Sequence, residues 1–392
     1  MEEFWLKRNV YVIIDGQAGS CGKGKVIGQF AIHEDVDVAI SNCMPNAGHT
    51  FEQDGKRRLF RNIPVSAVNP KTKLFIGHGS VIDMNVLEQE YEENKDILEG
   101  REIIVHPLVP LIESRHIEEE KRRIKTGSTL KGCATCMSEK IMRDPNLKFF
   151  KEYKNIKADP DYHRKFHDAL NSAEKVLVEG SQGCDLSLNN TNTHPYGTSR
   201  TVSVSQMLSD SKIPPSRLKK TIMVIRPYAI RISNEIYDGS YIYSGDYGTS
   251  EELEWNQINV GSYLHIPAHS VDEDLIEEYL ESSPRLNELT SVTKKQRRIF
   301  PLDVNLLKEN IEDNDPAELY LNFFEHLDYG LFQESGFYSG VGEEDISLDR
   351  YQREYLNWLE SELGVPITML GTGPDLNHYI DRRPYVKRFY HK

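Results

Sequence analysis

The stretch "DGQAGSCGKGK" (15–25) sets two lysines and four glycines within ten residues, directly after the apolar run "VYVII". Glycines reach the positive-φ conformations that turn successive backbone N–H groups toward one point, which is how a loop cradles an anion. A helix predicted to start near Lys23 adds its positive end, and the Lys23 ammonium neutralises phosphate charge. The loop departs from the common phosphate-loop pattern, because Gly24 follows Lys23 where a magnesium-binding Ser or Thr belongs. Taken alone, the pattern also fits an ordinary strand–turn–helix connection. Two lysines tip the reading toward phosphate.

Five further stretches carry chemistry. "NCMPNAGHT" (42–50) offers the Asn46 amide, the His49 imidazole and the Thr50 hydroxyl, and His is the commonest acid–base group. "TGSTLKGCATC" (126–136), followed by Arg143, has the hydroxyls, amides and cation that suit a monophosphate, or it is a turn between two solvated helices. "VEGSQGCDLSLNNTNTHPYGTSR" (178–200) is long, polar and nearly uncharged, which is uncommon in a loop that binds nothing. "TSVTKKQRR" (290–298) packs four cations into five residues of an acidic chain, either a solvated face or a site for carboxylates and phosphates. "LGTGPD" (370–375) is one more glycine turn.

These loops follow short β-branched runs at 9–16, 36–42, 73–79, 102–107, 175–183, 221–232 and 366–374, with amphipathic segments such as 83–98 and 348–363 between them. Alternation of this kind predicts an α/β fold, a large mostly parallel sheet with helices on both faces, whose ligands gather at the carboxyl ends of the strands. One catalytic domain over 1–392 is expected, with insertions near 110–172 (charged, helical) and 234–290 (acidic, rich in Tyr and Ser). A formal charge of −14 argues against a nucleic-acid surface, and no apolar run approaches the ~20 residues of a membrane span. The N-terminal residues lack a signal-peptide layout, so a cytoplasmic protein is the default. Five cysteines without a second CxxC or a His pair are expected to be reduced thiols.

In order along the chain, "GSCGKGK", "NAGHT", "GSTLKG", "EGSQG…HPYGTS", "VTKKQRR" and "GTGPD" resemble the loops of the adenylosuccinate synthetases. The family carries "GDEGKGK", "NAGHT", "GxTxxG", "EGxQG…YPxxTS", "TTGRxRR" and "STGPD". The resemblance spans about residues 10 to 375 and implies a P-loop NTPase-like fold and a two-step ligase. A triphosphate phosphorylates the 6-oxygen of a purine monophosphate; the amino group of L-aspartate then displaces the phosphate. It implies Lys23 and His49 as catalytic groups, with Ser20 at a third catalytic position that also faces the purine and the metal. Gly19, Cys21, Gly22, Lys23, Gly24, Lys25, Thr50, Arg297, Gly371, Gly373 and Pro374 would hold the triphosphate. Asn46, Ala47, Thr129, Gln182, Thr198 and, from a partner subunit, Arg143 would hold the monophosphate. Thr293, Lys295 and Arg297 would bind aspartate, and the Gly48 carbonyl would bind Mg2+. The resemblance also implies a homodimer.

Three stretches depart from the family. Ser20 stands where its loop has Asp, the group that takes the purine N1 proton and ligates magnesium, and Cys21 replaces the adjacent Glu. A dead enzyme, an engineered change or a different substrate would each explain Ser20. The last matches a viral branch, the 2-aminoadenylosuccinate synthetases, which carry a smaller residue here and use dGMP. In "LNFFEHLDYG" (321–330), Phe323 replaces the Lys and Glu325 stands near the Asp of the family's guanine-reading stretch. That favours ATP or dATP over GTP, although Phe323 in the core is an equally good reading. Val292 and Lys295 replace Thr and Arg, so the bidentate grip on aspartate is lost. The leading expectation is a ligase for dGMP and L-aspartate; the alternatives are a standard synthetase using IMP and GTP, and a non-catalytic purine sensor.

Overall fold

The computed structural model describes residues 7–124, 126–237, 240–255, 258, 288–289, 295–342 and 345–390. Its central strand, β1 (Val10–Asp15), is buried along its whole length. Val10, Val12 and Ile14 enter one apolar cluster while Tyr11 and Ile13 enter another, the period of two expected of a strand. Burial on both faces explains why "VYVII" shows no polar alternation.

β1 pairs in parallel with β9 (Val176–Gly183) and β10 (Leu218–Ile225). Beyond β9 the sheet runs through β2 (Val38–Ser41), β5 (Lys73–Ile76), β6 (Ile103–Val105) and β8 (Ile156–Ala158) to β7 (Glu152–Tyr153). Beyond β10 it runs through β15 (Glu318–Leu321), β17 (Ile367–Gly371) and β18 (Tyr379–Asp381) to β16 (Gly336–Phe337). Only the β7–β8 and β17–β18 pairs are antiparallel, so the expected mostly parallel sheet is what forms. Three hairpin-like pairs stand apart from it: β3 (His49–Gln53) with β4 (Lys56–Phe60), β11 (Tyr228–Arg231) with β14 (Arg298–Pro301), and β12 (Glu235–Tyr237) with β13 (Ser240–Ile242).

The described α-helices are α1 (Lys23–His33), α2 (Met84–Glu93), α3 (Lys95–Leu98), α4 (Ser114–Arg123), α5 (Cys133–Met142), α6 (Tyr162–Ser172), α7 (Val204–Asp210), α8 (Val304–Asn314), α9 (Arg350–Leu363) and α10 (Arg383–Tyr390). Helix α9 shows local sequence setting its own limits. Asp349 and Gln352 form a reciprocal capping box at its start, and Gly364, at φ 67°, ends it.

Two sequence expectations change. The run 221–232 is two strands in different sheets, because Pro227 has no N–H to continue the ladder of β10. The region 110–172 holds α4, α5 and α6 as expected and adds the β7–β8 hairpin. Most of the 234–290 insertion lies outside the described residues. No described helix is long and apolar enough to cross a membrane.

Candidate active site

A cavity of about 660 Å³, a volume suited to small-molecule ligands, opens where β1, β2, β9, β10 and β15 end. Its lining includes Gly19, Ser20, Gly22, Lys23 and Gly24 after β1, and Asn46, Ala47, Gly48, His49 and Thr50 after β2. Thr129, Gln182, Thr198, Arg297 and Phe323 complete the part of the wall that the sequence singled out.

The loop after β1 folds around its own carboxylate. Asp15, fully buried, accepts the N–H groups of Gln17 and Cys21 at 3.1 Å each. Lys23 reaches the same carboxylate at 3.3 Å and donates to the Gln182 carbonyl at 3.0 Å. Asp15 thus gives the loop an anion that Ser20 and Cys21 do not supply. Helix α1 starts at Lys23, as predicted, after Gly22 at φ 78°, where a Cβ would overlap the Asn322 side-chain amide. Two residues on, a Cβ at Gly24 would stand 2.6 Å from His49 Cβ; the glycine lets α1 and the 46–50 loop touch.

His49 is buried, with no partner for Nε2. Burial, reinforced by Lys23, depresses its imidazole to about 3, so the ring is neutral at physiological pH and the unpartnered nitrogen is left for a ligand. Gln182, at φ 67°, donates to Asn46 Oδ1 at 3.2 Å.

Ser20 sits at φ 57° between two guanidinium groups. Its hydroxyl accepts from Arg297 Nη1 at 2.5 Å, and its carbonyl accepts from Arg226 Nη1 at 3.0 Å. Arg226 is fully buried, stacks 4.1 Å above the Phe323 ring, and donates to the Glu288 carboxylate at 3.0 and 3.3 Å. Its Nε and Nη2 have no partner. Gln17 fixes its backbone, accepting the Arg226 N–H at 2.8 Å and donating to its carbonyl at 3.2 Å. Phe323, itself at φ 59°, lines the cavity; it is not a core residue. Ser20, Gln182 and Phe323 are all non-glycine residues in the left-handed region, a strain that concentrates at functional sites.

Other expected residues lie elsewhere. Cys21 is buried behind the loop, one of five cysteines that are all free and buried. Lys25 turns from the cavity and donates to the carbonyls of Gly373 and His378 at 2.6 and 2.5 Å. Its ammonium therefore ties α1 to the turn after β17. Gly371, Gly373 and Pro374 form that turn, outside the cavity lining, and the Pro374 carbonyl accepts the Glu52 N–H at 2.9 Å. Glu325 is buried near Lys25, and burial raises its carboxyl above the usual range. Arg143 is exposed at the end of α5, and Lys295 is exposed away from the lining. Thr293 lies outside the described residues.

The sequence did not single out Arg57, Glu120, Arg123, Tyr196, Arg231 or Glu288, which also line the cavity, nor Arg226 behind Ser20. Arg226 had one signal, its place at the end of a β-branched run before Pro227; Glu288 had none in its spacing. Among the described residues no cluster of three His, Cys, Asp or Glu side chains could hold a metal.

The adenylosuccinate synthetase family pattern matches residues 12–150 and 147–330. The chain is 31% identical to the N6-succino-2-amino-2'-deoxyadenylate synthase of Acinetobacter phage SH-Ab 15497, over 94% of this chain and 97% of that one. It is 27% identical to the adenylosuccinate synthetase of Pyrococcus horikoshii, over 96% and 99%. The succinoaminodeoxyadenylate synthetase of cyanophage S-2L, solved with dGMP and with dATP as energy donor, superposes with a TM-score of 0.75 at 25% identity, covering 98% of this chain and 99% of that one. With the motifs in family order and the loops converging on one cavity, the chain belongs to the adenylosuccinate synthetase family and is a carbon–nitrogen ligase.

Proposed function

We propose that the chain joins L-aspartate to dGMP with ATP or dATP as phosphoryl donor, giving 2-aminoadenylosuccinate for diaminopurine DNA precursors. Ser20 carries the reading. Guanine bears an amino group at C2, beside N1, where an Asp side chain at position 20 would crowd it. Serine leaves room, and an amino group buried there without a partner would otherwise cost ~1–3 kcal/mol. The relatives from Acinetobacter phage and cyanophage S-2L support the same substrate class. Phe323, stacked under Arg226 in place of the family's Lys, supports an adenine rather than a guanine donor.

The purine 6-oxygen is a poor leaving group until phosphorylated. Lys23 neutralises charge on the transferring phosphoryl group, the amides of 19–24 orient it, and His49 presents its free Nε2 to it. Arg297, with Thr293 from the same segment, is assigned to aspartate, and Lys295, exposed outside the cavity lining, acts on it only at long range. Asn46, Ala47, Thr129, Gln182 and Thr198 are assigned to the monophosphate. Mg2+ supplies Lewis-acid stabilisation of the phosphates. By the family resemblance the carbonyl of Gly48, a lining residue, would hold it; Ser20 Oγ fits poorly because it already accepts from the Arg297 cation.

A homodimer is part of the proposal. Arg143 adjoins Ile141 and Met142, which are 75% and 74% exposed, a surface suited to a second copy whose cavity Arg143 would enter. A single catalytic unit working in the cytoplasm, where nucleotides and aspartate are available, completes it.

Crossing dGMP, GMP and IMP with ATP, dATP and GTP, in the presence of aspartate and magnesium, tests the reading by phosphate release and by the succinyl product. Turnover of dGMP with ATP or dATP is expected. Preference for IMP with GTP would make it a standard synthetase, and silence in every combination would make it a sensor.

A further inference from the structure

An oxygen at C6 becomes a nucleophile only when the neighbouring N1–H gives up its proton, and Ser20 has no group that accepts one near neutral pH. Among the described residues, two carboxylates line the cavity, Glu120 and Glu288. Glu120 takes the backbone N–H groups of Gly132 and Ala134, and burial raises it toward its neutral form. It belongs to the wall that also holds Arg123, Thr129 and Ala134. Glu288 stands beside Ser20: its carboxylate and the Ser20 carbonyl each accept from the same nitrogen, Arg226 Nη1, at 3.0 Å. The Glu288 side chain remains 23% exposed.

We infer that Glu288 is the catalytic base of this chain, accepting the purine N1 proton that Ser20 cannot take. The inference deepens the proposed function and rests on its phosphoryl step, and it applies to any 6-oxopurine the enzyme activates. Glu288 takes the N1 proton, and the N1–H bonding pair passes through C6 to O6. O6 bonds to the terminal phosphorus of the triphosphate as the bond from that phosphorus to the bridging oxygen breaks, releasing the nucleoside diphosphate. The proton leaves Glu288 for water through the open side of the carboxyl.

The surroundings keep Glu288 ionised and ready. Burial alone would raise its carboxyl, but Arg226 first and then Arg297 outweigh burial and hold it below the usual range. Glu325 is the like charge nearby, and it works against that shift. The main chain reinforces the placement, since the Arg297 N–H donates to the Glu288 carbonyl at 2.9 Å. Arg226, fully buried behind Ser20, fixes the Glu288 carboxylate from the side away from the cavity.

The test pairs Glu288→Gln with 8-aza-dGMP, whose N1–H is more acidic, or with the 8-aza analogue of whichever monophosphate the wild-type enzyme turns over. Removing a general base is expected to lower kcat about 100-fold or more while calorimetry shows the dGMP Kd within about twofold. The acidic analogue should recover at least about tenfold of that loss, which an anchor for Arg226 would not do. A kcat within about threefold of wild type, or a loss the analogue leaves unchanged, overturns the inference. So does rescue of Glu120→Gln in its place. If Glu288→Gln does not fold, Glu288→Asp decides. It keeps the charge facing Arg226, so a kcat loss of at least about tenfold supports the base and near-normal kcat overturns it. Wild-type turnover of IMP instead of dGMP would sink the substrate reading and leave this test intact on IMP.

Discussion

On the wall built from residues 15–25 and 46–50, charge is matched inside the protein. Lys23 meets the buried Asp15, Asp15 also gathers two loop amides, and His49 is held neutral. On the wall built from Arg226, Glu288, Arg297 and Phe323, charge is left over. Arg226 is fully buried, yet two of its three guanidinium nitrogens have no partner, and Ser20 offers two guanidiniums only a hydroxyl and a carbonyl. The first wall keeps the family's residues at Lys23, Gly24 and His49; the second contains Phe323, one of the departures, and faces another, Ser20. A phosphate site that is pre-formed serves any triphosphate. Unsatisfied donors wait for one ligand, so selectivity belongs to the second wall.

Breaking the internal pair should cost most. Lys23→Met removes the cation from the phosphates and leaves Asp15 buried without its partner. The expected result is a fall in kcat/KM of about 100-fold or more and a loss of about 3 kcal/mol in stability. Adding Asp15→Asn should return most of the stability and none of the activity. Urea unfolding read beside steady-state rates checks both. Activity returning with stability would make Lys23 a structural residue only.

His49→Asn should lower kcat by about 100-fold, at the centre of the range for a lost acid–base group. It also carries a pH signature. The folded-state value of about 3 lies below the ordinary 6.5, so between them the unfolded chain binds the extra proton. The stabilisation from the neutral ring is fully present above about 6.5 and is lost as pH falls toward 3. His106 and His326, both depressed to about 4 by burial, lose theirs over the same window. The denaturation midpoint of the wild type should therefore drop on acidification through this range, and His49→Asn should flatten the slope. An unchanged slope would mean that the ring is solvated in solution.

Ser20→Asp sharpens the contrast from the other side, placing a carboxylate between Arg226 and Arg297. Crowding of the 2-amino group should lower kcat/KM for dGMP about tenfold to 100-fold and raise relative use of IMP. Competition between the two monophosphates measures the shift. No change in preference would remove Ser20 from substrate selection.

The two walls also differ in how far they could be read from sequence. The first was legible because its partners are local: Asp15 and Lys23 are eight residues apart, and glycine spacing announces the turn. Strand runs and the amphipathic segment that became α9 were legible for the same reason. The second wall joins Arg297 to Ser20 across 277 positions and Arg226 to Glu288 across 62. No spacing rule links such residues; only the tertiary fold does, which lays the segment before β14 against the ends of β1 and β10. Lys25 shows the opposite error. Its motif suggested phosphate, but helical geometry turns a side chain two residues past Lys23 to another face of α1, where it met the 373–378 turn. Phe323 was open between core and site, and a left-handed backbone at the end of β15 put it on the cavity.

The smallest effect is expected at Lys295. By resemblance it binds aspartate, yet it is exposed and outside the cavity lining, while Arg297, two residues on, reaches Ser20. A surface cation at that distance attracts an anionic substrate only through screened water. Lys295→Ala should therefore raise the KM for aspartate less than about threefold, and the increase should vanish at high salt. Arg297→Ala, measured beside it, should raise that KM by at least about tenfold, because a guanidinium lining the cavity is shielded from salt. A large, salt-resistant effect at Lys295 would mean that its ammonium reaches the bound ligands, adding a second cation to the selective wall and making it complete only with substrate present.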